Sequence, residues 1–585
     1  MYCAWLNKDG CVLKYLLSFF KKYKLQAILA PLFKMLEATF DLLVPLVVAD
    51  IINVGIANND TSYILVRFGI LIAMAIFGLA CSFTAQYFSA TAASGTSAGL
   101  RKKLLARVQS LSFSDLDKIG TSTLITRMTS DVNQVQSGIN MFLRLFMRSP
   151  FIVFGAMVMA FSINVQVAST FAIVIPVLFV IVFGIMKLTN PLYKALQKQV
   201  DKTTVATREN LSGVRVVRAF GKEESETNRF ANESQTLTNT QVKVGNISAL
   251  TNPLTYVVIN LGIVAILWLS AGRVDGGVLL SGDVIALVNY LSQVLIELVK
   301  LANLIVLLGK SVVSMNRIGQ ILDVTPSMRY GDKTESTETD EAIALDNVSL
   351  RYTENADNAL ENISFTIKRG QTVGIIGGTG SGKSSLVSLF ARFYDATEGQ
   401  VRVFGEPAQV WSKEFLNKHV SVVLQRAQLF AGTIKSNLLV GNPSATDEEM
   451  WNALRLAQAE EFVKGLPDGL DAPVEQGGRN FSGGQKQRLT IARALIADPE
   501  ILILDDSASA LDYATDAALR KALRTLPNDK TIVIVSQRTS SIRHADLILV
   551  LDDGNLVGAG THESLLESCP TYREIHESMA SKEDK

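Results

Sequence analysis

The sequence predicts a multidomain membrane protein, with an all-α transmembrane domain of six helices followed by an α/β P-loop domain. Long stretches of the first half contain no Asp, Glu, Lys or Arg, short strand-like runs alternate with helical segments after residue 344, and a glycine-rich motif follows one of those runs. Hydrophobic residues make up 48% of the 585 residues and charged residues 19%, against about 25% in soluble proteins. This composition excludes a disordered chain, a coiled-coil rod and an ordinary soluble enzyme.

Three stretches, 68–100, 149–186 and 244–272, lack charged residues and are long enough to cross a bilayer, which takes roughly 20 apolar helical residues. The second stretch breaks at Ser162-Ile163-Asn164, which predicts a tight turn between two spans. Two further apolar regions, around 25–56 and 284–308, carry a few charges. The sequence therefore predicts six spans, at 25–56, 64–90, 138–162, 166–188, 246–272 and 282–308.

The basic residues predict the orientation of these spans. The candidate outer loops 57–62 and 163–165 contain no Lys or Arg, whereas the stretch from Arg101 to Arg148 contains eight. Positive residues stay in the cytoplasm. The amino terminus, both long loops and the carboxyl-terminal half are therefore expected on the cytoplasmic side of the cell membrane. The segment around Leu13–Phe20 lacks the order of a signal peptide and is predicted to be a helix on the membrane surface.

Two long cytoplasmic loops, 95–137 and 187–243, are polar and rich in helix-forming residues. They are expected to extend the spanning helices well beyond the membrane, at 1.5 Å per helical residue. The chain is expected to reverse near Leu116–Thr123 and near Arg208–Gly213, and the tips formed there are placed to touch a cytoplasmic partner.

The second half has the alternating pattern of an α/β domain. We expect a transmembrane domain over 1–320, a polar linker over 321–343 and the α/β domain over 344–585. Three runs, Thr372–Ile376, Ile501–Leu504 and Thr531–Val535, are typical of fully buried parallel strands. The net charge of +1 argues against nucleic acid as a partner. Four cysteines without metal-ligand spacing are expected to be reduced: Cys3, Cys11, Cys81 and Cys569.

One motif carries a phosphate-binding function. The strand ending at Ile376 leads into Gly377-Gly378-Thr379-Gly380-Ser381-Gly382-Lys383-Ser384, a full match to G-x-x-x-x-G-K-[ST], and Ser385 opens a helix behind it. Glycines allow backbone N–H groups to surround phosphates, and the amino end of the helix adds partial positive charge. Lys383 is expected to reach the terminal phosphates and Ser384 to bind Mg²⁺.

Further polar residues follow at positions suited to the same chemistry. The apolar run Ile501–Leu504 ends in Asp505 and Asp506, and Asp505 is placed to hold Mg²⁺ through water. Gln425, after another apolar run, is a candidate third polar ligand near the metal. The segment Ser482-Gly483-Gly484-Gln485, followed by a helix, predicts a second anion-binding turn.

With these motifs the sequence resembles the ATP-binding cassette (ABC) transporters, specifically the type IV exporter half-transporters, over nearly the whole chain. Ser482-Gly483-Gly484-Gln485 looks like the signature motif, Ser509-Ala510-Leu511-Asp512 like the D-loop and Gln425 like the Q-loop, while Tyr352 looks like the aromatic residue that stacks on adenine. The segment from Glu209 to Phe220 is similar to an exporter pattern in the membrane half. The resemblance implies an ABC nucleotide-binding domain with ATP and Mg²⁺ as cofactors.

The resemblance also implies a partner chain. In this family two nucleotide-binding domains enclose two ATP molecules, each between the P-loop of one subunit and the signature motif of the other. Ser482–Gln485 is therefore expected to contact the γ-phosphate of the partner's nucleotide, with Asp512 at the same interface. A working transporter then needs a second half-transporter.

Two positions depart from the family pattern. The family's catalytic glutamate follows the Mg²⁺ aspartate, where this chain has Asp506, and the switch histidine follows the third buried strand, where this chain has Gln537. Glutamine forms hydrogen bonds but carries no positive charge. The chain thus resembles the degenerate-site subunit of heterodimeric bacterial multidrug exporters, with a weakly hydrolytic P-loop site. The alternative is that both residues are tolerated variants in an active homodimer.

The predicted first span carries Lys34, Glu37 and Asp41 within about 60° of one helix face. Charges at membrane depth face a bundle interior or water, so these residues line a substrate cavity or pair with each other, with Arg144 or with Arg148. Glu297 on the last span is open to the same two interpretations. A mixed lining suits hydrophobic or amphipathic, drug-like compounds. A homodimeric lipid or peptide exporter and an ATP-gated channel or regulator remain as alternatives.

Overall fold

The computed structural model describes residues 21–336, 338–353, 356–527 and 529–583, which form two compact units. The first unit contains the described residues up to Gln109 and Thr121–Val324, and the second contains Ser110–Gly120 and the described residues from Thr325 onward. The expected surface helix at Leu13–Phe20 lies outside the described residues, as do Cys3 and Cys11. Cys81 and Cys569 are buried free thiols, as expected.

The first unit is helical, and six of its helical segments are long and apolar enough to cross a membrane. These segments are Lys24–Ile56, Thr61–Ser110, Thr121–Ile163, Val165–Ser212, Glu223–Asp275 and Ser281–Leu322. Each predicted span falls inside one of them, which confirms the six-span, all-α prediction. The apolar residues that face outward, such as Phe77, Val180 and Trp268, have the exposure that a lipid environment requires.

Breaks and two π-helical turns, Ile51–Ile56 and Arg127–Asp131, divide several of these segments into shorter α-helices. Numbered along the chain, the helices up to residue 322 are α1 (Lys24–Asp50), α2 (Thr61–Ser110), α3 (Phe113–Ile119), α4 (Thr121–Thr126), α5 (Val132–Leu145), α6 (Arg148–Ile163), α7 (Val165–Ser212), α8 (Val214–Ala219), α9 (Glu223–Ala249), α10 (Thr251–Asp275) and α11 (Ser281–Leu322). Helix α3 belongs to the second unit.

A break separates α5 from α6 next to the charged residue Arg148. Pro150 has no backbone N–H to donate to the carbonyl of Phe146, so the helix is interrupted at this point and α6 starts afresh at Arg148. The next connection is tight because the side chain of Asn164 accepts hydrogen bonds from the backbone N–H groups of Gln166 and Val167, both at 3.1 Å. The turn predicted at 162–164 is therefore present.

Both predicted chain reversals are present, and the second extends beyond its predicted range. The first lies at Gly120, with a backbone φ of +79°, inside the predicted range. At the second, α7 ends at Ser212 and is followed by Gly213, inside the predicted range, and the short α8 then extends the turn to Gly221 with φ +58°.

The second unit contains two larger sheets and surrounding helices. Its strands are β1 (Glu341–Leu350), β2 (Leu360–Lys368), β3 (Thr372–Gly377), β4 (Glu398–Val403), β5 (Glu406–Pro407), β6 (Val420–Val423), β7 (Gly432–Thr433), β8 (Pro473–Val474), β9 (Ile501–Asp505), β10 (Thr531–Val535), β11 (Leu547–Asp552) and β12 (Asn555–Gly560). Its further helices of four or more residues are α12 (Lys383–Phe390), α13 (Lys413–His419), α14 (Ile434–Leu438), α15 (Asp447–Leu456), α16 (Glu460–Lys464), α17 (Gly483–Leu495), α18 (Tyr513–Leu523), α19 (Thr539–Ile542), α20 (His562–Ser568) and α21 (Pro570–Glu583).

The six-stranded sheet, in the order β12-β11-β3-β10-β9-β6, positions the nucleotide motifs. Strand β10 lies between β3 and β9 and pairs with both in parallel, which confirms the three predicted buried parallel strands. Because parallel strands end at the same edge, the P-loop after β3 and Asp505 at the end of β9 come together there. The other large sheet, β2-β1-β4-β5, is antiparallel.

The predicted polar linker is held against the second unit over part of its length. The backbone N–H groups of Gly331 and Lys333 donate to the carbonyls of Trp411 and Val410, and the Lys333 ammonium pairs with Glu406 at 2.9 Å. Strand β1 begins at Glu341. These contacts come from residues distant in sequence, so composition alone does not reveal them.

Candidate functional site

The loop between β3 and α12 has the backbone of a phosphate-binding loop. Gly380 and Gly382 have φ values of +86° and +97°, a region that residues with a Cβ rarely adopt. A Cβ on Gly382 would also lie 2.8 Å from the carbonyl oxygen of Ala359. The glycines at these two positions are therefore required by the conformation, and the loop leads directly into the amino end of α12.

Lys383 lies across the inside of this loop. Its ammonium donates hydrogen bonds to the carbonyl oxygens of Gly377 at 3.0 Å and Gly378 at 2.5 Å. Burial lowers the pKa of Lys383, and the nearby Asp506 and Asp505 act in the opposite direction. A phosphate group offers this partly desolvated ammonium a stronger acceptor than neutral carbonyls.

Three oxygen-bearing side chains fit a magnesium ion. The hydroxyl of Ser384 donates to the carboxylate of Asp505 at 3.3 Å, so the two predicted ligands are adjacent. Burial raises the pKa of Asp505 and the neighbouring Asp506 adds to this effect, while Ser384 and Lys383 oppose it. Hydroxyl, carboxylate and, from Gln425, amide oxygens are the hard donors that Mg²⁺ prefers, and a divalent cation would relieve the crowding of negative charge.

Asp506 occupies a constrained position beside this donor set. Its backbone φ is +45°, and its N–H donates to the carbonyl of Val535 at 3.1 Å, which holds it at the end of β9. Its carboxylate accepts a hydrogen bond from the side-chain amide of Gln425 at 3.1 Å. This contact turns the amide oxygen of Gln425 away from Asp506 and leaves it free to bind a cation.

A cavity of about 250 Å³ unites most of the predicted site. It is lined by Ala359, Thr379, Gly380, Ser381, Gly382, Lys383, Ser384, Ser385, Gln425, Asp505, Asp506, Val535 and Gln537. The two departures from the family pattern, Asp506 and Gln537, are thus both at this cavity. Among the described residues that line it there is no histidine.

The predicted signature segment lies apart from this cavity. Ser482 caps α17: its hydroxyl accepts from the N–H of Gln485 at 3.3 Å, and the Gln485 side chain accepts from the N–H of Ser482 at 2.9 Å. A Cβ on Gly484 would lie 3.0 Å from the carbonyl oxygen of Ala510, so this glycine allows a close approach of two loops. Gly483 is exposed in front of it.

Asp512 also lies outside the cavity and caps another helix. Its carboxylate accepts from the N–H of Thr515 at 2.8 Å and from the Thr515 hydroxyl at 2.9 Å, at the start of α18. These bonds lower the pKa of Asp512. Within this chain, its carboxylate thus positions the loop before α18.

Tyr352 stands at the edge of the P-loop and is supported by Tyr394, a residue that belongs to none of the predicted motifs. The Tyr352 hydroxyl donates to Ser385 at 3.0 Å. Its ring packs against Tyr394 in a T-shaped contact, with ring centroids 5.0 Å apart. The sequence signal that was available is the aromatic pair Phe393-Tyr394 just after the P-loop helix.

In the first unit, the charged residues of the predicted spans pair with one another. Lys34 contacts Glu37 at 2.5 Å, and Arg148 contacts both Asp41 at 2.8 Å and Glu297 at 2.7 Å. Glu297 is almost fully buried and also accepts from Ser149 and Lys300. Asp41, with 45% of its side chain exposed, and Lys300, with 43%, retain access from outside the cluster.

Comparisons with known proteins agree across both units. Residues 27–298 match the family described as the ABC transporter transmembrane region, and residues 360–509 match the family described as ABC transporter. The chain is 34% identical to an uncharacterized ABC transporter ATP-binding protein of Bacillus subtilis, YfiB, over 97% of this chain and 98% of that protein. It is 31% identical to the ATP-dependent lipid A-core flippase of Syntrophus aciditrophicus, over 83% and 81%.

A solved structure has the same fold. The structure of a bacterial Atm1-family ABC exporter with ATP bound superposes with a TM-score of 0.77, over 95% of this chain and 98% of that chain. The two sequences are 23% identical, so this likeness is one of fold.

Proposed function

The chain belongs to the ABC transporter family, and on that premise we propose that it is one subunit of a heterodimeric exporter whose own P-loop site holds Mg²⁺-ATP with little turnover. That it binds ATP and couples an ATPase to transport across a membrane follows from the family. The proposal concerns the division of labour between two subunits. The observation that carries it is that Asp506 and Gln537 line the same cavity as Lys383 and Asp505.

The short side chain of Asp506 supports slow hydrolysis. Its carboxylate lies roughly 1 Å further from an attacking water than a glutamate would place it, and about 1 Å of misplacement costs on the order of 10²-fold in rate. The hydrogen bond from Gln425 holds the carboxylate on the metal side of the cavity. Gln537 is able to form a hydrogen bond but carries no positive charge. When Mg²⁺ is bound, it neutralises charge on the phosphates, and Lys383 and the P-loop orient them.

The intact signature segment supports the second half of the proposal. Ser482 and Gly483 are exposed at the amino end of α17, a helix of 13 residues. The partial positive charge there favours a phosphate, and Ser482–Gln485 do not line the cavity of this chain's own P-loop. We therefore assign Ser482–Gln485, with Asp512 in the neighbouring loop, to the competent site whose Walker motifs and catalytic glutamate belong to the partner.

The substrate class is proposed from the charged cluster of the first unit. Lys34, Arg148 and Lys300 balance Glu37, Asp41 and Glu297, so the cluster is neutral, and it leaves the Asp41 carboxylate and the Lys300 ammonium partly exposed. Accessible charges among apolar spans suit hydrophobic or amphipathic compounds, and we assign to the Asp41 carboxylate the contact with positively charged ones. We place this transport at the cell membrane, out of the cytoplasm. A lipid substrate is the second candidate, since a 31% identical relative is a lipid A-core flippase.

The decisive experiment compares the chain alone with the chain and its partner. The partner is obtained by co-purification, and both samples are reconstituted in lipid nanodiscs. We expect low steady ATPase activity and retained ATP in the chain alone, and high activity in the pair. High steady turnover by the purified chain alone would contradict the asymmetric model and favour an active homodimer.

The same pair tests the substrate class. Amphipathic cations and lipids are added separately, and the stimulation of ATP turnover is measured for each. Stimulation by cations supports the proposal, and stimulation by lipids alone supports the second candidate.

A further inference from the structure

The residues that follow the P-loop helix α12 connect it to helix α3 and to the loop that contains Tyr352. Helix α12 ends with the N–H of Phe393 donating to the carbonyl of Ser388 at 2.8 Å and the N–H of Arg392 donating to that of Leu389 at 3.1 Å. This is a Schellman motif, in which the residue at Arg392 has positive φ, here +50°. The motif turns the chain sharply, so Phe393 and Tyr394 point away from α12.

The side chain of Arg392 holds this residue in its left-handed backbone conformation. Arg392 is buried, pairs with Asp395 at 2.9 Å, donates to the carbonyl of Arg329 at 2.7 Å and lies over the ring of Tyr330 at 4.5 Å. A glycine would adopt this backbone without strain but would lose all of these contacts. The turn after the P-loop helix is therefore rigid.

Beyond this turn, Tyr394 contacts helix α3. Its hydroxyl donates a hydrogen bond to the carboxylate of Asp117, and the ring of Phe113 lies 4.7 Å from that of Phe393 and 6.5 Å from that of Tyr394. Burial and the nearby Asp117 carboxylate raise the pKa of Tyr394, so its phenol stays protonated and remains a donor. The ring of Tyr394 is thus held at its outer end.

The other neighbour of Tyr394 is Tyr352, which lies in a loop. Tyr352 comes two residues after β1 ends, in a stretch without regular secondary structure, and 40% of it is exposed. Its position therefore depends on side-chain contacts. The contacts given by the structure are the hydrogen bond to Ser385 and the T-shaped packing on Tyr394, with an angle of 88° between the rings. A T-shaped contact of this kind leaves a face of Tyr352 for a planar ligand.

We propose that Tyr394 is a positioning residue for the nucleobase: it holds the ring of Tyr352 in place to stack on adenine, and it is itself held by Asp117 of α3. This inference rests on the ATP binding of the proposed function and on the adenine-stacking role that the family resemblance implies for Tyr352. It extends the nucleotide site to a helix that contains no nucleotide-binding motif. Binding of the base then depends on Asp117, while binding of the phosphates does not.

The test compares two ligands on the full chain in lipid nanodiscs, both with Mg²⁺. ATP carries a base, and inorganic tripolyphosphate carries only the phosphates. We expect Tyr394→Ala to raise the Kd for ATP by about threefold to tenfold, the range of one aromatic pair, and to leave the Kd for tripolyphosphate unchanged. Tyr394→Phe and Asp117→Ala, which remove only the hydrogen bond, should each raise the Kd for ATP about twofold to threefold.

Three controls separate the outcomes. Lys118→Ala removes an exposed charge from the same helix and should change neither Kd. Combining Tyr394→Phe with Asp117→Ala should add nothing beyond either change, because both remove one hydrogen bond. Tyr352→Ala should raise the Kd for ATP and leave the Kd for tripolyphosphate unchanged.

The results distinguish the nucleobase role of Tyr352 from the positioning role of Tyr394. In one outcome, Tyr352→Ala is the only one of these variants that weakens ATP binding, with Tyr394→Ala, Tyr394→Phe and Asp117→Ala leaving it unchanged. In that case the positioning role of Tyr394 is overturned and the nucleobase role of Tyr352 stands. If Tyr352→Ala leaves ATP binding unchanged, the role of Tyr352 fails and the inference fails with it. Equal weakening of ATP and tripolyphosphate by Tyr394→Ala would identify a purely structural role and also overturn the inference.

Discussion

The side-chain amide of Gln425 donates a hydrogen bond to the carboxylate of Asp506, with 3.1 Å between the two atoms. This bond joins the residue that would help hold Mg²⁺ to the residue that stands where the family has its catalytic glutamate. Asp506 is held at its backbone as well, by the bond to Val535. A side chain fixed at both ends adjusts poorly to a water molecule, so the local geometry supports weak hydrolysis at this site.

Restoring the family residues should increase hydrolysis. The double change Asp506→Glu with Gln537→His returns a longer carboxylate and a side chain that can carry positive charge to the same cavity. We expect steady ATPase activity of the chain alone to rise on the order of 10-fold or more. The rate of phosphate release measures this, with Lys383→Ala added to the double variant as the control that should abolish it.

Replacing Ser482 should affect the partner's site. Ser482→Ala removes a hydroxyl from the amino end of α17, where we place the partner's γ-phosphate, and the phosphate release of the assembled pair is expected to fall about tenfold or more. ATP retained at this chain's own P-loop should stay unchanged. Unaltered phosphate release in a pair that still assembles would contradict the shared site.

Substitutions of Asp41 and Glu297 should cause different defects, the first in the response to substrate and the second in stability. Asp41 is half exposed, so Asp41→Asn should reduce stimulation of the pair's ATPase by amphipathic cations and leave stimulation by neutral compounds unchanged. Glu297 is buried between Arg148, Ser149 and Lys300, so Glu297→Gln should instead lower the free energy of unfolding by about 1–3 kcal/mol. Thermal unfolding and ATPase assays with both compound classes separate these results, and the reverse pattern would argue against a substrate role for Asp41.

The attachment of α3 should depend on pH through Asp115. Burial alone would raise the pKa of Asp115, but hydrogen bonds from Ser327 and Ser112 outweigh it, and the pKa is lowered in the folded protein. The resulting stability is present above the unfolded pKa of about 3.9 and is lost as the pH falls through the lower folded value. Hydrogen exchange of residues 110–120 should therefore speed up only below about pH 4.

The matched variant for this experiment is Asp115→Asn. It should exchange faster at pH 7 and show no further acid dependence in this segment, because the titrating group is gone. A wild-type exchange rate that is flat down to pH 3, after allowing for the intrinsic pH dependence of exchange, would count against this role of Asp115.

Much of the fold followed from local patterns. Charge-free stretches of about 20 residues or more predicted the spans, because water is absent from the hydrocarbon core and only apolar helices cross it. The P-loop, Asp505 and the buried strands were predicted from motif and composition, and parallel pairing of β3, β10 and β9 places them at one edge. The end of α7 at Gly213 was also predicted, whereas the short α8 that extends this turn to Gly221 was not.

The sequence by itself determined the family, the six spans, the nucleotide motifs and the two departures at Asp506 and Gln537, because each of these is a property of neighbouring residues. Only the tertiary structure decided that Arg148 joins Asp41 to Glu297, and that Tyr394 joins Tyr352 to Asp117. These contacts connect side chains far apart along the chain. Periodicity and motif spacing describe the order of residues, whereas such contacts depend on how helices and loops pack after the chain has folded.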